Sequence, residues 1–339
     1  LFDGTSDRLI WQLNAISFRT AQGRWQYTTT GTVAEARPDQ RLFHLSDRGD
    51  KRLSLLVAVV DGLLEIGLCA EVADTAWVAA ELLAQPHEHY LGFGERFDSL
   101  DQRGREVDLW VVNGAHCGRT YKPIPFFQSS AGYGLFIDTD VRSLVRLATP
   151  DDPCTVSIRC AAPSVRLLVI PGTTPKDILS RYTALAGRPE VPPPWVFGPW
   201  KSRDWQVEDQ STVFDDLDQQ RTLGLASTVK LIDAMWEPQT HTFTFDQAKY
   251  PDPEGMIGYL HAQGYRLVLW VSPWIVASDD PEGPFSYCAD RGYLIRNPDG
   301  EVYVHRLGNS PTFHGSCLDF TNPEAVDWWQ DNIRRLVAM

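Results

Sequence analysis

Long apolar runs are missing from this 339-residue sequence. No stretch approaches the roughly 20 uninterrupted apolar residues that a membrane-spanning helix needs, which excludes a helical membrane protein. Basic clusters are missing too: 31 Lys and Arg stand against 44 Asp and Glu, for a net charge of −13. That balance does not suit a phosphate backbone or an anionic lipid surface, so nucleic acid and membrane drop out as partners. Six cysteines occur and no two form a Cys-x-x-Cys pair, which speaks against a zinc ribbon, a redox dithiol and a disulfide scaffold. Leu1 to Asp7 hold neither an initiating Met nor a signal peptide. A cytoplasmic location is the resulting expectation, with the true amino terminus left open.

Signals for metal and phosphate are equally thin. His87-Glu88-His89 would put two imidazoles on one strand face, but no third ligand lies close in sequence. Gly92-Phe93-Gly94-Glu95 lacks the Gly-x-x-Gly or Gly-Lys-Ser continuation of a phosphate loop, and Glu95 reads as buried and structural. No metal and no cofactor is expected.

What the chain has is core material and aromatics. Apolar residues make up 43%, enough for proper cores, and the length suits about two domains. Twelve tryptophans offer flat faces that suit sugar rings, although packing in a core is the commoner use of Trp.

The periodicity divides the chain in two. Short runs at Leu53–Val60, Leu63–Ala70, Tyr133–Thr139 and Val165–Ile170, separated by turns such as Asp61-Gly62, predict an antiparallel β-sandwich. A helix over about Pro175–Ala186 ends at Gly187. The stiff connector Arg188-Pro189-Glu190-Val191-Pro192-Pro193-Pro194 then places a boundary, with domains over 1–190 and 191–339. Beyond it, strands at Trp195–Trp200, Thr228–Asp233 and Arg266–Val271 alternate with helices at Ser211–Thr222, Asp252–Gln263 and from Pro323 onward. Alternating β and α units indicate a parallel βαβ arrangement, either a small open sheet or the first part of a (β/α)₈ barrel.

Seven motifs decide between them: Gly92-Phe93-Gly94-Glu95-Arg96-Phe97, Pro123-Ile124-Pro125-Phe126-Phe127, Gly132-Tyr133-Gly134-Leu135-Phe136-Ile137-Asp138, Pro194-Trp195-Val196-Phe197-Gly198-Pro199-Trp200, Tyr250-Pro251-Asp252-Pro253, Leu269-Trp270-Val271-Ser272-Pro273-Trp274 and Asp319-Phe320-Thr321-Asn322-Pro323. In order and spacing the chain resembles glycoside hydrolase family 31, mostly retaining α-glucosidases and α-xylosidases. The resemblance implies a mutarotase-like β-sandwich followed by an incomplete (β/α)₈ TIM barrel that ends before its fourth strand. It places both catalytic carboxylates beyond Met339, so no catalytic residue is expected in this chain. A retaining pair stands about 5 to 5.5 Å apart. Asp215-Asp216 reads instead as a solvated helix face and Asp279-Asp280 as a turn.

The resemblance also implies a set of substrate-binding residues. Asp233, at the carboxyl end of the second strand, would accept hydroxyl hydrogen bonds from the sugar, and Trp270 would be the tryptophan of the sugar pocket. Met235, Trp236, Trp274 and Trp200 lie at or just beyond strand ends, and Asn113 sits in a sandwich-domain loop that would touch the leaving group. Ala234 replaces the cysteine of the family's α-xylosidases, which leans towards glucose. The implied activity is a retaining exo-acting α-glycosidase on terminal α-linked glucose or xylose, present as a fragment. Its partner is an oligosaccharide or α-glycoside substrate, with homo-oligomer formation left open for the full-length protein. The alternatives are a non-catalytic carbohydrate-binding protein, or a transglycosylase or lyase of the same family.

Overall fold

A computed structural model describes residues 12–21, 25–27, 30–37, 39–47, 50–112, 118, 120–204, 208–306 and 313–339. The chain divides into two units, Leu1–Pro189 and Glu190–Met339. Among the described residues no helix is long and apolar enough to cross a membrane.

The first unit is built from two antiparallel sheets. One runs Gln26–Tyr27, Leu13–Thr20, Thr75–Leu83, Asp152–Cys160, Ser143–Thr149, Glu106–Leu109. The other runs Thr30–Arg37, Gln40–Asp47, Asp50–Val60, Leu63–Ala70, Ser164–Pro171, Tyr133–Asp138, Pro123–Ser129, Tyr90–Gly94. Alternating apolar residues from both sheets, among them Phe18, Val78, Leu135, Val145, Val156 and Leu167, meet in one buried core. The helix Pro175–Ala186 starts in a reciprocal cap between Thr174 and Asp177 and ends at Gly187, whose φ is 96°. It buries Ile178 against Leu63, Phe126 and Ile170, and its Tyr182 ring stacks on Phe126.

Two expectations in this unit are corrected. His87-Glu88-His89 forms a turn, with His87 exposed at a φ of 62°, so the imidazoles share no strand face. Glu88 is buried, accepting hydrogen bonds from the hydroxyls of Ser129 and Tyr133 and from the amide of Gln85, while exposed His89 pairs with Asp101 at 2.6 Å. Glu95 is exposed rather than buried and faces Lys122 at 3.7 Å. The glycines of Gly92-Phe93-Gly94 have a structural cause. Both have positive φ, and a Cβ on Gly94 would strike the carbonyl of Lys122, just before the adjoining strand Pro123–Ser129.

The second unit carries a parallel sheet in the order Trp200–Lys201, Val229–Ile232, Arg266–Leu269. Its helices are Gln210–Thr222, Pro253–Ala262, Pro284–Asp290 and Pro323–Val337. Side chains of Asp209, Asp252 and Asn322 cap three of them, satisfying amides that have no partner within the helix. The expected first strand, Trp195–Trp200, is mostly something else. Pro194–Phe197 is a single 3₁₀ turn, as the fixed φ of Pro194 in a first turn favours, and pairing starts only at Trp200. A small antiparallel sheet of Trp274–Val276, His314–Cys317 and His305–Arg306, together with the helix Pro284–Asp290, was not foreseen.

Candidate functional site

The two faces of the parallel sheet do different work. Ile232, Leu267, Leu269 and Val271 pack with Val213 and Leu217 of the helix Gln210–Thr222, so they point into the helix layer. Strand side chains alternate, which turns Leu231, Asp233, Val268 and Trp270 to the opposite, interior face. Register then decides which of these meet. Ile232 pairs with Leu269, and the amide of Trp270 continues the ladder by donating to the Ile232 carbonyl at 2.9 Å. Asp233 and Trp270 therefore stand side by side at the carboxyl ends of adjacent parallel strands. In a barrel-type sheet that end is where active sites are built.

Asp233 is half-buried, and its Oδ1 accepts from the amide of Ala234 at 2.6 Å. Its Oδ2 makes no hydrogen bond among the described residues, so that oxygen is available to a ligand hydroxyl. Trp270 is 38% exposed, a ring with a face to offer. Beside them, Met235 is exposed and held at a φ of 78°. Trp274 opens the small antiparallel sheet, is half-exposed, and meets His305 edge-on at 5.9 Å between centroids.

Two other expected site residues fall elsewhere, and a third is not described. Trp236 is completely buried in the helix-layer core against Phe245, with its indole nitrogen donating to the Trp270 carbonyl at 2.8 Å. Its ring packs among the side chains of the helix layer. Trp200 pairs with Val229, the first residue of the second strand, and that register puts it roughly 13 Å below Asp233 along the strand direction. Its indole is tied to the Val196 carbonyl at 3.0 Å. Asn113 lies outside the described residues.

Two family models match the chain. They are the glycosyl hydrolases family 31 TIM-barrel domain over residues 189–339 and the glycosyl hydrolase 31 N-terminal galactose mutarotase-like domain over residues 4–144. The chain belongs to glycoside hydrolase family 31. The alpha-xylosidase XylQ of Lactiplantibacillus pentosus is 32% identical over 256 residues, covering 74% of this chain and 33% of that protein. The alpha-xylosidase of Emericella nidulans is 30% identical over 267 residues, covering 78% of this chain and 33% of its own length. The cycloalternan-degrading enzyme from Trueperella pyogenes, solved in complex with isomaltose, matches with a TM-score of 0.69 and 25% identity, over 96% of this chain and 55% of that one. The chain thus spans about a third of the length of the two alpha-xylosidases.

This family 31 barrel unit also contains charges that the sequence reading misplaced. Asp216 is buried, not part of a solvated face. Lys230, with no exposed surface, contacts the Glu208 carboxylate and reaches Asp216 at 3.0 Å. Arg203 closes a two-pronged pair on the same Asp216 carboxylate at 2.9 and 3.0 Å. Burial pushes the Asp216 carboxyl up, yet Arg203 and Lys230 together hold it below the usual range. For Glu208 burial prevails and its pKa is raised. A signal for this was present: position 216 shares the buried stripe of Val213, Leu217 and Gln220, and a lysine within Thr-Val-Lys-Leu-Ile requires a buried partner. The cluster lies on the helix side of the sheet, away from Asp233.

A cavity of about 350 Å³ is also lined from the helix side, by Ile257, His261, Leu267, Leu269, Val271 and Leu336.

Proposed function

We propose that these residues form the sugar-holding part of a retaining exo-acting α-glycosidase that removes terminal α-linked glucose or xylose. One observation carries the reading: Asp233, with an uncommitted oxygen, stands beside the partly exposed ring of Trp270 at the carboxyl ends of two neighbouring parallel strands. A carboxylate that accepts two hydroxyl protons, beside an aromatic face that covers the apolar face of a pyranose, is a minimal recognition pair for a sugar. We assign neither catalytic carboxylate to a described residue. Lys230 and Arg203 already pair with Glu208 and Asp216, on the helix side of the sheet.

Two sugars fit this reading for different reasons. The similarity to two alpha-xylosidases favours xylose. The small side chain of Ala234 beside Asp233, which leaves room for a hydroxymethyl group, favours glucose, as does the isomaltose held by the solved T. pyogenes relative. The test offers nitrophenyl α-xyloside and nitrophenyl α-glucoside to the full-length gene product and follows the first sugar released by NMR. Cleavage of at least one, with the α anomer released first, is expected. No cleavage of either, or release of the β anomer first, removes the reading.

A further inference from the structure

The loop that follows Asp233 is held in a conformation its residues do not choose freely. Met235, His241 and Phe243 all have positive φ, at 78°, 72° and 53°, and none of them is glycine. Such residues persist in the left-handed region only where their surroundings enforce it. The enforcing group is a carboxylate. Glu237 is 8% exposed; its Oε2 accepts from the His241 amide at 2.9 Å and its Oε1 from the Phe243 amide at 2.6 Å. No cation pairs with it among the described residues, and burial raises its pKa. The loop is pinned at further points. Lys249 Nζ donates to the Met235 carbonyl at 2.7 Å, and the Phe243 ring lodges edge-on against Trp328 and Trp329 at 5.7 and 5.4 Å. Trp236, between Met235 and Glu237, ties the loop to the Trp270 carbonyl.

We infer that Glu237 is a positioning residue for the sugar site. By gathering the amides of His241 and Phe243 it holds the loop closed, and so fixes Met235 against Asp233 and the end of the strand bearing Trp270. The inference rests on the reading of Asp233 and Trp270 as the sugar-holding pair. A surface loop of this length is ordinarily held by turn residues such as Gly, Asn and Pro. Here a buried, unpaired carboxylate does the work, and it does so directly behind residues that face the ligand. Glutamine has the same shape but only one accepting oxygen, so its NH₂ would confront the second amide proton.

The test measures affinity for methyl α-glucoside and methyl α-xyloside by calorimetry, with thermal unfolding and amide exchange recorded alongside. In Glu237→Gln, exchange at His241 and Phe243 rises. Affinity falls about tenfold if the closed loop drops to about a tenth of the population, because apparent affinity scales with the competent fraction. Glu237→Asp, which keeps the charge, recovers part of that loss. A purely structural residue would lower the melting temperature and leave the affinity of the folded protein alone. Asp233→Ala separates the two readings. If it leaves affinity unchanged, the sugar-site reading itself fails. If it weakens binding while a folded Glu237→Gln binds within about twofold of wild type, Glu237 does not position the site. Should Glu237→Gln not fold, Lys249→Met releases the same loop from its partly exposed end, and unchanged affinity there likewise overturns the inference.

Discussion

The indole nitrogen of Trp236 donates to the backbone carbonyl of Trp270 at 2.8 Å. This bond joins the loop after the second parallel strand to the end of the third, directly behind Asp233. A tryptophan that reads in sequence as a ligand platform is therefore a strut.

Asp233→Ala in the active full-length gene product should lower kcat/KM by about 10²- to 10⁴-fold. Hydrogen bonds to a charged group contribute about 1.5 to 3 kcal/mol each, and two are lost at about 1.4 kcal/mol per decade. Stability should change little, since Asp233 sits at a strand end with one oxygen uncommitted. Steady-state kinetics checks this, and activity within about threefold of wild type would make Asp233 a loop cap.

Lys230→Met should destabilise the barrel unit by about 3 to 5 kcal/mol, because Glu208 and Asp216 lose their shared buried cation. Urea unfolding measures the change. A loss under about 1 kcal/mol would mean that Arg203 and water suffice to neutralise the pair.

His241 is 4% exposed, and burial, only partly offset by the nearby backbone of Ser272 and Thr240, lowers its pKa from 6.5 to about 4. Between those values the unfolded chain binds a proton that the folded protein does not. Stability from this group is therefore complete above about pH 6.5 and declines as pH falls towards about 4. The loss approaches about 3 kcal/mol at the lower limit. Urea midpoints from about pH 7.5 to about pH 4.5 should fall more steeply for wild type than for His241→Phe, and parallel curves would show that the ring takes up no less acid when folded.

Gly94→Ala and Gly104→Ala form a matched pair, both at a φ of 81°. The first Cβ meets the Lys122 carbonyl, whereas the second meets nothing within 4 Å. Gly104→Ala should cost about 1 kcal/mol from backbone conformation alone, and Gly94→Ala at least about 2 kcal/mol more. Equal losses in chemical denaturation would mean that the strand pair around Gly94 parts to admit a methyl group.

Much of the fold was legible locally. The caps at Thr174, Asp209, Asp252 and Asn322 and the Pro-rich connector mark element ends because a side chain there acts on amides within three residues of itself. Asp233 and Trp270 were legible as strand-end residues for the same reason, since alternation within one strand places a side chain on a face. The strand at Trp195 failed because Pro194, which favours a first helical turn, outweighs the apolar run after it, and the small sheet around His314 failed because its strands are too short to show a period.

The sequence by itself determined most strands and helices of the parallel sheet, where most of them stop, and that one end of that sheet carries an acid and an aromatic ring. Only the tertiary structure decided that these two are neighbours, that Trp236 stands behind them and Trp200 far below, and that Asp216 is buried. Register, layer and depth depend on pairings between residues distant in the chain. Each such pairing is chosen by what the opposite element offers, as Lys230 chooses Asp216 and the Glu237 carboxylate gathers the amides of its own loop only once the core closes over it.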